Sequence, residues 1–364
     1  MENLEMKGLF NSVYNNKTVL VTGDTGFKGS WLSYWLMQMG ANVIGYSIDE
    51  GTKPSHYKLL KQGYKSYRGD INDLKRLTKV IKKHKPQIVF HLAAQSLVRK
   101  SYINPVETYT TNILGTLNVL EAARSSGHVK AIVNVTTDKV YENLETNRAY
   151  KESDTLGGYD MYSSSKACVE ILSSSYKRAF FNKGLLLATA RAGNVIGGGD
   201  WGQDRLIPDI VKATSKKKKT LIRNPKSIRP WQHVLEPLSG YLLLGQKLLE
   251  GKNAFADAWN FGPDKDQCLS VNAVLTLLKK EWKDIKVNYA SDKRTGVHEA
   301  GILMLDHTKA TKQLKWQPVW KMNKTITKTA SWYKAYYNSG KLFSQADLKE
   351  YVEDAKNKKV IWAK

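Results

Sequence analysis

KTVLVTGDTGFKG, residues 17–29, decides the fold. A β-branched apolar run leads into glycines spaced GxxGxxG, and apolar residues at helical spacing follow them. Gly23 permits a tight turn, Gly26 lets backbone N–H groups approach a pyrophosphate, and Gly29 allows a helix to pack closely on a sheet. A strand before such a loop and a helix after it are the context that a dinucleotide-binding turn requires. The stretch therefore predicts the first strand, loop and helix of a dinucleotide-binding fold.

Apolar runs and helical segments alternate outward from this loop. Strands are predicted at about 18–22, 42–46, 66–68, 88–91, 131–136 and 185–190, and helices at 28–39, 74–83, 112–125 and 162–181. This alternation is typical of an α/β fold with a doubly wound parallel sheet, Rossmann-like in its organisation.

After Arg191 the pattern changes to Gly-rich turns, short strands and isolated helices, which indicates a smaller C-terminal substrate-binding lobe. Its helices are predicted at 206–214, 235–250, 271–282 and 326–337. We therefore predict a dinucleotide-binding domain over 1–191 and the lobe over 192–364. Segments near 231–262, including a strand near 259–261, are expected to return to the large domain.

Composition places the chain among globular proteins and leaves the meaning of its charge open. It has 364 residues, 41% hydrophobic and 25% charged, with a formal net charge of +24. Such a charge is typical of proteins that bind nucleic acid, a membrane surface or an anionic small substrate. The densest basic run, residues 216–219, has no interleaved aromatic side chains, and we interpret it as a solvated loop. We expect neither a nucleic-acid nor a membrane partner.

Compartment and metal content are inferred from the apolar runs and the cysteines. Residues 1–16 lack a basic region followed by an apolar run, and no stretch reaches the roughly 18 apolar residues that span a bilayer. Cys168 and Cys268 are too few for a disulfide framework and are not spaced like metal ligands. We expect a cytoplasmic protein without a bound metal.

Two carboxylates follow the predicted second and third strands. Asp49 lies about 20 residues beyond Gly29, where a carboxylate accepts hydrogen bonds from a ribose 2′-hydroxyl and repels a 2′-phosphate, so NAD is favoured over NADP. A plain turn residue is the alternative role of Asp49. Asp70 is placed to bind an adenine amino group, or else Asp70 or Asn72 caps the next helix. The candidates for cofactor binding are Gly23, Thr25, Gly26, Phe27, Lys28, Gly29, Asp49, Asp70, Ile71, Leu92, Ala93 and Ala94.

Tyr162 and Lys166 are four residues apart in a predicted helix, so their side chains project from one face. A nearby ammonium lowers the pKa of a phenol, which favours Tyr162 as the base that removes a hydroxyl proton while hydride leaves the same carbon. Thr137 and Asp138 follow a buried strand at the sheet edge where such folds bind ligands. Taken alone, a tyrosine and a lysine at this spacing are also typical of an exposed helix surface. A Thr-Asp-Lys turn, taken alone, is also typical of a capped loop.

Seven motifs together resemble the extended short-chain dehydrogenase/reductases and, within them, the CDP-glucose 4,6-dehydratases. The likeness runs from about residue 17 to 316. The motifs are TGDTGFKGSWL (22–32), HLAAQ (91–95), TNILGT (111–116), VTTDKVYEN (135–143), YSSSK (162–166), RAGNVIGGGDW (191–201) and IRPWQHV (228–234).

The resemblance implies a reaction without net redox change. Tyr162 would deprotonate the glucose 4-hydroxyl while the C4 hydride goes to NAD, water would leave across C5 and C6, and the hydride would return to C6. Thr137, Asp138, Lys139, Tyr162 and Lys166 would be the catalytic residues, with Asp138 as the acid. Related dTDP-glucose dehydratases carry Thr-Asp-Glu at this turn. Lys139 replaces that glutamate, as in the CDP-glucose branch, and would act as the C5 base or as a cation that stabilises the enolate.

The resemblance also implies ligand-binding residues and an oligomer. Asn112, Tyr162 and Lys166 would bind the cofactor. The predicted helices over 102–125 and 162–181 resemble the pair that builds a four-helix interface, so a homodimer is expected. The candidates for binding the nucleotide sugar are Gln95, Arg99, Asn194, Arg205, Arg223, Arg229 and His298.

Two other functions stay open from sequence alone. The first is a nucleotide-sugar epimerase, or a dehydratase for a dTDP- or GDP-hexose, on the same fold. The second is a non-catalytic protein that senses a dinucleotide or binds a polyanion, because a fold by itself does not establish a function.

Overall fold

A computed structural model describes residues 6–61, 63–181, 184–290 and 300–364. In this part of the chain the main sheet has seven parallel strands in the order β11-β6-β5-β4-β1-β2-β3. The strands of the protein are β1 Thr18–Thr22, β2 Asn42–Ser47, β3 Lys65–Arg68, β4 Ile88–His91, β5 Ala131–Val135, β6 Leu186–Ala192, β7 Val195–Ile196, β8 Lys219–Ile222, β9 Ile228–Arg229, β10 Gln232–His233, β11 Ala258–Phe261, β12 Leu269–Ser270 and β13 Lys286–Tyr289.

Helices connect these strands. The α-helices are α1 Phe27–Gln38, α2 His56–Leu60, α3 Leu74–His84, α4 Val98–Ile103, α5 Pro105–Tyr109, α6 Gly115–Ser126, α7 Met161–Ala179, α8 Leu206–Ser215, α9 Leu235–Leu249, α10 Val271–Glu281, α11 Met322–Ser339 and α12 Ser344–Asn357. A π-helical turn, Thr110–Leu114, joins α5 to α6, and a second one spans Ala310–Leu314. Short 3-10 turns lie at Leu9–Ser12, Asp138–Val140, Asn253–Phe255, Lys265–Gln267 and Ile361–Ala363.

Two apolar cores cover the two faces of the main sheet. On one face, α1 and α9 bury residues such as Trp31, Trp35 and Leu242 together with side chains from α12. On the other face, α3 and α6 bury residues such as Leu77 and Leu120. Strands covered on both faces read as continuous apolar runs, which is why the sequence pattern located them.

A third core holds the lobe together. It joins side chains of α8, α10 and α11, among them Ile210, Leu278 and Trp332. Three two-stranded pairs, β7–β10, β8–β13 and β9–β12, complete the lobe. The helix α8 and the strand β8 of the lobe line a cleft together with residues at one end of the main sheet.

The predicted fold class is confirmed, with a doubly wound parallel sheet of order typical of dinucleotide-binding folds. The expected return of the strand near 259–261 is observed as β11, which pairs with β6 in parallel. The helix α12 was not predicted. In this part of the chain, no helix combines the length and the apolar character needed to cross a bilayer.

Candidate functional site

The glycine loop lies between β1 and α1 and leaves no room for side chains. Gly23 has a φ of +73°, and a Cβ there would lie 2.7 Å from the backbone nitrogen of Ala93. A Cβ at Gly29 would lie 2.0 Å from the carbonyl oxygen of Gly23, because α1 passes directly over the loop. The glycines therefore present only backbone to the cleft at the N-terminal end of α1, which suits a phosphate group.

A cleft with a volume of about 920 Å³ runs from this loop to the lobe. It opens at the carboxyl ends of the parallel strands, where doubly wound folds bind ligands. Of the residues predicted for cofactor, catalysis or substrate, those that line it are Gly23, Thr25, Gly26, Phe27, Lys28, Gly29, Asp49, Asp70, Ile71, Leu92, Ala93, Ala94, Arg99, Thr137, Asp138, Lys139, Tyr162, Lys166, Asn194, Arg205, Arg223 and Arg229.

Gln95 and Asn112 do not line the cleft, although both were predicted to contact ligands. The Asn112 amide donates to the backbone oxygen of Gln95 and to Ser165 Oγ, and its oxygen accepts from the backbone nitrogen of Gln95. The Gln95 side chain donates to Thr108 Oγ1 and to the backbone oxygen of Leu97. Both side chains fasten the loop after β4 to neighbouring helices. His298, also predicted for substrate binding, lies outside the described residues.

Asp49 and Asp70 both face the cleft and both shape a turn. Asp49 Oδ1 accepts from the backbone nitrogen of Gly51 at 2.8 Å, and Asp70 Oδ1 accepts from the backbone nitrogen of Asn72 at 2.9 Å. The suggested capping of α3 by Asp70 or Asn72 is wrong. The helix begins at Leu74, so the preceding Asp73 is the cap and accepts from the backbone nitrogen of Arg76.

Tyr162 and Lys166 lie on the first turns of α7. Asp160 caps this helix by accepting from the backbone nitrogen of Ser163 at 2.9 Å, which fixes where the helix begins. Lys166 is buried, and its ammonium donates to the carbonyl oxygen of Val135 at 3.0 Å. The lysine therefore ties α7 to the end of β5, next to the polar turn that follows this strand.

Thr137 and Asp138 form that turn. Thr137 Oγ1 donates to Asp138 Oδ1 at 3.0 Å and also accepts from the backbone nitrogen of Lys139. Asp138 is 2% exposed, and its Oδ2 has no hydrogen-bond partner among the residues that the structure describes. Burial raises the pKa of Asp138, and the positive charge of Lys139 acts in the opposite direction. The turn thus presents a carboxyl group whose pKa lies above that of an ordinary aspartate.

The electrostatics of Tyr162 differ from the expectation. Burial raises its pKa to about 12, and a hydrogen bond with Thr137 only partly offsets this rise. Lys166 does not produce the expected lowering because its ammonium is directed to the carbonyl of Val135. Burial also lowers the pKa of Lys166 itself to about 8, against the influence of Glu170. The protein alone therefore keeps the phenol protonated.

Lys28 reaches the same end of the cleft from the glycine loop. Its ammonium lies 3.5 Å from the hydroxyl of Tyr241, a buried residue of α9. Burial lowers the pKa of Lys28 to about 8, and the charge of Asp138 acts to raise it. Sequence reasoning gave Lys28 to the cofactor and missed Tyr241, which no motif connects to the loop.

A buried ion pair lies behind Lys166. Glu170, one helical turn beyond this lysine, accepts from Arg191 at 2.9 Å and from Thr189 Oγ1 at 2.6 Å. Thr136 Oγ1 donates to the other oxygen of Glu170 at 2.5 Å. Sequence reasoning missed Glu170, although its spacing of four residues from Lys166 placed both on one helix face. The ion pair ties α7, which carries Tyr162 and Lys166, to β6, and the hydrogen bond from Thr136 ties α7 to the end of β5.

The predicted arginines Arg205, Arg223 and Arg229 make different contacts in the part of the cleft that the lobe lines. Arg205 donates to Asp200 at 3.0 Å and to Ser96 Oγ at 3.1 Å. Arg229 is 7% exposed and donates to backbone oxygens of residues 228, 300 and 301. Arg223 donates to Asp204 at 2.9 Å. Asn194 lines the cleft, and its carbonyl oxygen accepts from the backbone nitrogen of Gln232.

In the described ranges, no group of three or more histidine, cysteine or acidic side chains is arranged so that it could hold a metal ion. The thiols of Cys168 and Cys268 are both free.

The comparison with protein families decides the relationship. The family model described as GDP-mannose 4,6 dehydratase matches residues 20–329. The chain belongs to this family. One relative is the CDP-glucose 4,6-dehydratase of Salmonella typhimurium (strain LT2). It is 44% identical to this chain over 349 residues, which cover 93% of this chain and 97% of the relative.

Solved structures confirm the fold of this family member. The epimerase Mth375 from Methanothermobacter thermautotrophicus superposes with a TM-score of 0.81 at 24% identity, covering 93% of this chain and 96% of that chain. The dTDP-glucose 4,6-dehydratase from Bacillus anthracis, in complex with NAD, superposes with a TM-score of 0.73 at 23% identity, covering 87% and 96%.

Proposed function

We propose that this family member is an NAD-dependent CDP-glucose 4,6-dehydratase, which converts CDP-glucose to CDP-4-keto-6-deoxyglucose. The observation that carries the proposal is that Tyr162, Asp138 and Lys139 line one cleft together with the glycine loop. The 44% identity to a CDP-glucose 4,6-dehydratase across 93% of the chain supports the choice of substrate.

The residues around the glycine loop fit NAD. The cradle at Gly23 and Gly29 would be filled by any Cβ, and the N-terminus of α1 favours negative charge beside it. Asp49 and Asp70 line the adjoining part of the cleft, where carboxylates suit a ribose hydroxyl and an adenine amino group. When bound, NAD supplies a hydride acceptor and a positively charged ring.

Tyr162 is the base at the 4-hydroxyl of the sugar. Its phenol has a pKa near 12 in the protein alone, so removal of a proton requires positive charge close by. Held by the glycine loop and Lys166, the oxidised cofactor would supply charge of that sign. Lys166 uses one of its three donors on the carbonyl of Val135, which leaves two for the cofactor.

Asp138 is the acid that protonates the leaving 6-hydroxyl. Burial raises the pKa of Asp138, which favours its protonated form, and Oδ2 makes no hydrogen bond to the described residues. Lys139 lies beside it in the cleft. We assign Lys139 the proton of C5: its neutral amine accepts that proton, and the ammonium so formed stabilises the enolate while Asp138 gives its proton to the leaving hydroxyl.

The substrate assay tests this function directly. Purified protein is incubated with CDP-, dTDP-, GDP- and UDP-glucose, and the loss of one water is followed by mass spectrometry. We expect efficient loss of water from CDP-glucose only. Preference for another nucleotide would contradict the choice of base, and a product of unchanged mass with an inverted sugar carbon would identify an epimerase instead.

We also propose that the protein is a homodimer. Large apolar side chains are exposed on α4, α5 and α7, in the π-helical turn before α6 and just after α7, namely Ile103, Val106, Leu114, Ile171 and Phe180. Exposed apolar residues on adjacent helices are typical of an interface. Light scattering after size exclusion should give twice the chain mass, and Ile171→Glu should give a monomer while Tyr289→Glu, in the lobe, should not. A wild-type monomer at micromolar concentration would contradict the proposal.

Two further assignments rest on the same residues. We propose an NAD-binding domain over 1–191 and a substrate-binding lobe over 192–364, with the part near 231–262 returning to the large domain, as the pairing of β11 with β6 supports. The two free thiols support a cytoplasmic location.

A further inference from the structure

Asp204 occupies a strained turn at the mouth of the cleft. Its φ is +56°, a left-handed conformation that non-glycine residues seldom adopt and that is enriched at functional sites. The turn is held from within because Asp200 accepts from the backbone nitrogen of Gly202 at 2.9 Å and from Arg205 at 3.0 Å. The position of the Asp204 carboxylate is therefore set by the backbone of the turn.

One oxygen of this carboxylate faces two arginines from different parts of the molecule. Arg223 follows β8 of the lobe and donates to Asp204 Oδ1 at 2.9 Å. Arg99 belongs to α4, which follows β4 of the main sheet, and its Nε lies 3.8 Å from the same oxygen. Asp204 thus brings together guanidinium groups from the two walls of the cleft.

The three side chains are accessible to a ligand. The exposed fractions are 43% for Asp204, 26% for Arg99 and 28% for Arg223, and all three line the cleft. Ion pairs that are open to water contribute little to stability, so this one is not explained as a fastening of the fold. A guanidinium fork binds phosphate oxygens as readily as a carboxylate, and a diphosphate carries more charge than one carboxylate.

We propose that Asp204 is an internal anion that competes with the diphosphate of a nucleotide sugar for Arg99 and Arg223. This inference rests on the proposed function for the identity of the ligand. Asp204 then determines specificity: it keeps the two arginines together before binding, and it yields them to a ligand that presents a diphosphate. The affinity for the substrate is lower than the arginines alone would give.

Calorimetric titration with CDP tests the competition. In Asp204→Asn the competing charge is gone while the side-chain size is kept, so we expect CDP to bind about threefold to tenfold more tightly than to wild type. The matched control is Asp154→Asn, which removes the same charge from an aspartate–arginine pair outside the cleft. Its carboxylate pairs with Arg148 at 2.9 Å, and the affinity of this variant for CDP should stay within about twofold of wild type.

A double-variant cycle links the gain to the arginines. In a protein that carries Arg99→Gln and Arg223→Gln, adding Asp204→Asn should produce no gain in CDP affinity, because nothing is left to compete for. An unchanged or weaker affinity of the single variant Asp204→Asn would overturn the proposal, as would a wild-type protein that binds no CDP. An equal gain in Asp154→Asn would also overturn it.

The two proposals fail in different ways. A protein that follows this CDP-binding pattern but releases no water from CDP-glucose would reject the proposed function and keep the role of Asp204. A protein that dehydrates CDP-glucose while Asp204→Asn leaves CDP affinity unchanged would do the reverse.

Discussion

The two ends of the cleft use charge in opposite ways. At the inner end, Lys166 and Asp138 are 3% and 2% exposed, and burial is the largest cause of every pKa shift there. At the mouth, Arg99, Asp204 and Arg223 remain partly open to water, and one oxygen of Asp204 is shared by the two arginines. Charges in a dry site interact strongly, whereas those in water are screened. Within one continuous cleft, the groups proposed for catalysis are therefore kept dry, whereas the groups proposed for recognition of the substrate stay hydrated.

Tyr162→Phe is expected to have the largest effect. Loss of a positioned acid–base group lowers a rate by about 10²- to 10⁴-fold, so kcat for CDP-glucose should fall by that factor while the Kd for CDP stays within about twofold. Steady-state kinetics and calorimetry measure both quantities. Tyr289→Phe, which also removes a tyrosine hydroxyl, serves as the control and should keep wild-type kcat. Equal losses in kcat and CDP affinity for Tyr162→Phe would contradict the separation of the two ends.

Glu170→Gln should destabilise the protein strongly. Arg191 would be left buried without its countercharge, which costs about 3–5 kcal/mol in the free energy of unfolding. Glu121→Gln breaks the exposed pair with Arg124 and should cost much less, because water screens that pair. Urea unfolding of both variants sharpens the contrast between dry and wet pairs. Similar losses in the two variants would show that hydration does not separate them.

Acid should destabilise the fold through buried histidines. Burial lowers the pKa values of His56, His91 and His233 to about 3, so the unfolded chain binds more protons than the folded one below about pH 6.5. Burial acts in the opposite sense on Glu236, whose pKa is about 7, and on Asp347, whose pKa is about 6.

The opposite effects of the histidines and of the two carboxylates determine the pH range in which the free energy of unfolding changes. Between about pH 6.5 and pH 4.5 the two carboxylates offset part of the histidine effect, because they bind protons in the folded state first. Below about pH 4.5 that offset fades, and carboxylates such as Glu121, whose pKa the hydrogen bond from Arg124 lowers, add to the histidine effect, so the free energy of unfolding should fall most steeply there. Urea titrations at a series of pH values check this, and a flat profile down to pH 3 would contradict the burial of neutral histidines.

Salt should have the smallest effect, and only at the mouth. Raising the ionic strength from about 0.05 M to about 0.3 M should weaken CDP binding about twofold to fivefold, because the arginines are exposed to screening. Tyr162→Phe should respond to salt as wild type does, whereas Arg223→Gln should respond less. Titrations at the two ionic strengths measure the difference, and an equal response in all three proteins would place the ion-dependent contacts elsewhere.

Local patterns were enough to predict the sheet and the inner end of the cleft. The glycine loop and the buried strands combine short-range signals, and Tyr162 and Lys166 share a helix face by their spacing alone. The strand β11 was also predicted, because its apolar run stands out in the lobe. The short lobe pairs such as β8–β13 were not, since two to four residues carry too little periodicity to distinguish a strand from a loop.

Long-range contacts account for what the sequence did not predict. Asp204 depends on a turn that brings together arginines more than a hundred positions apart, and Tyr241 meets Lys28 only through the packing of α9 on the sheet. Gln95 and Asn112 belong to motifs and were predicted to contact ligands, yet they hydrogen-bond to each other. Only the tertiary structure reveals this contact. The pKa of Tyr162 followed burial instead of its helix neighbour, because spacing indicates proximity and not the direction of an ammonium.

Isotope transfer tests the central claim most directly. CDP-glucose carrying deuterium at C4 is converted by the protein with its bound cofactor, and the product is analysed by mass spectrometry and NMR. We predict a 4-keto-6-deoxy sugar that has lost one water and carries the deuterium at C6, since the same cleft removes and returns the hydride. Deuterium lost to solvent, or a product that keeps its 6-hydroxyl, would contradict this account.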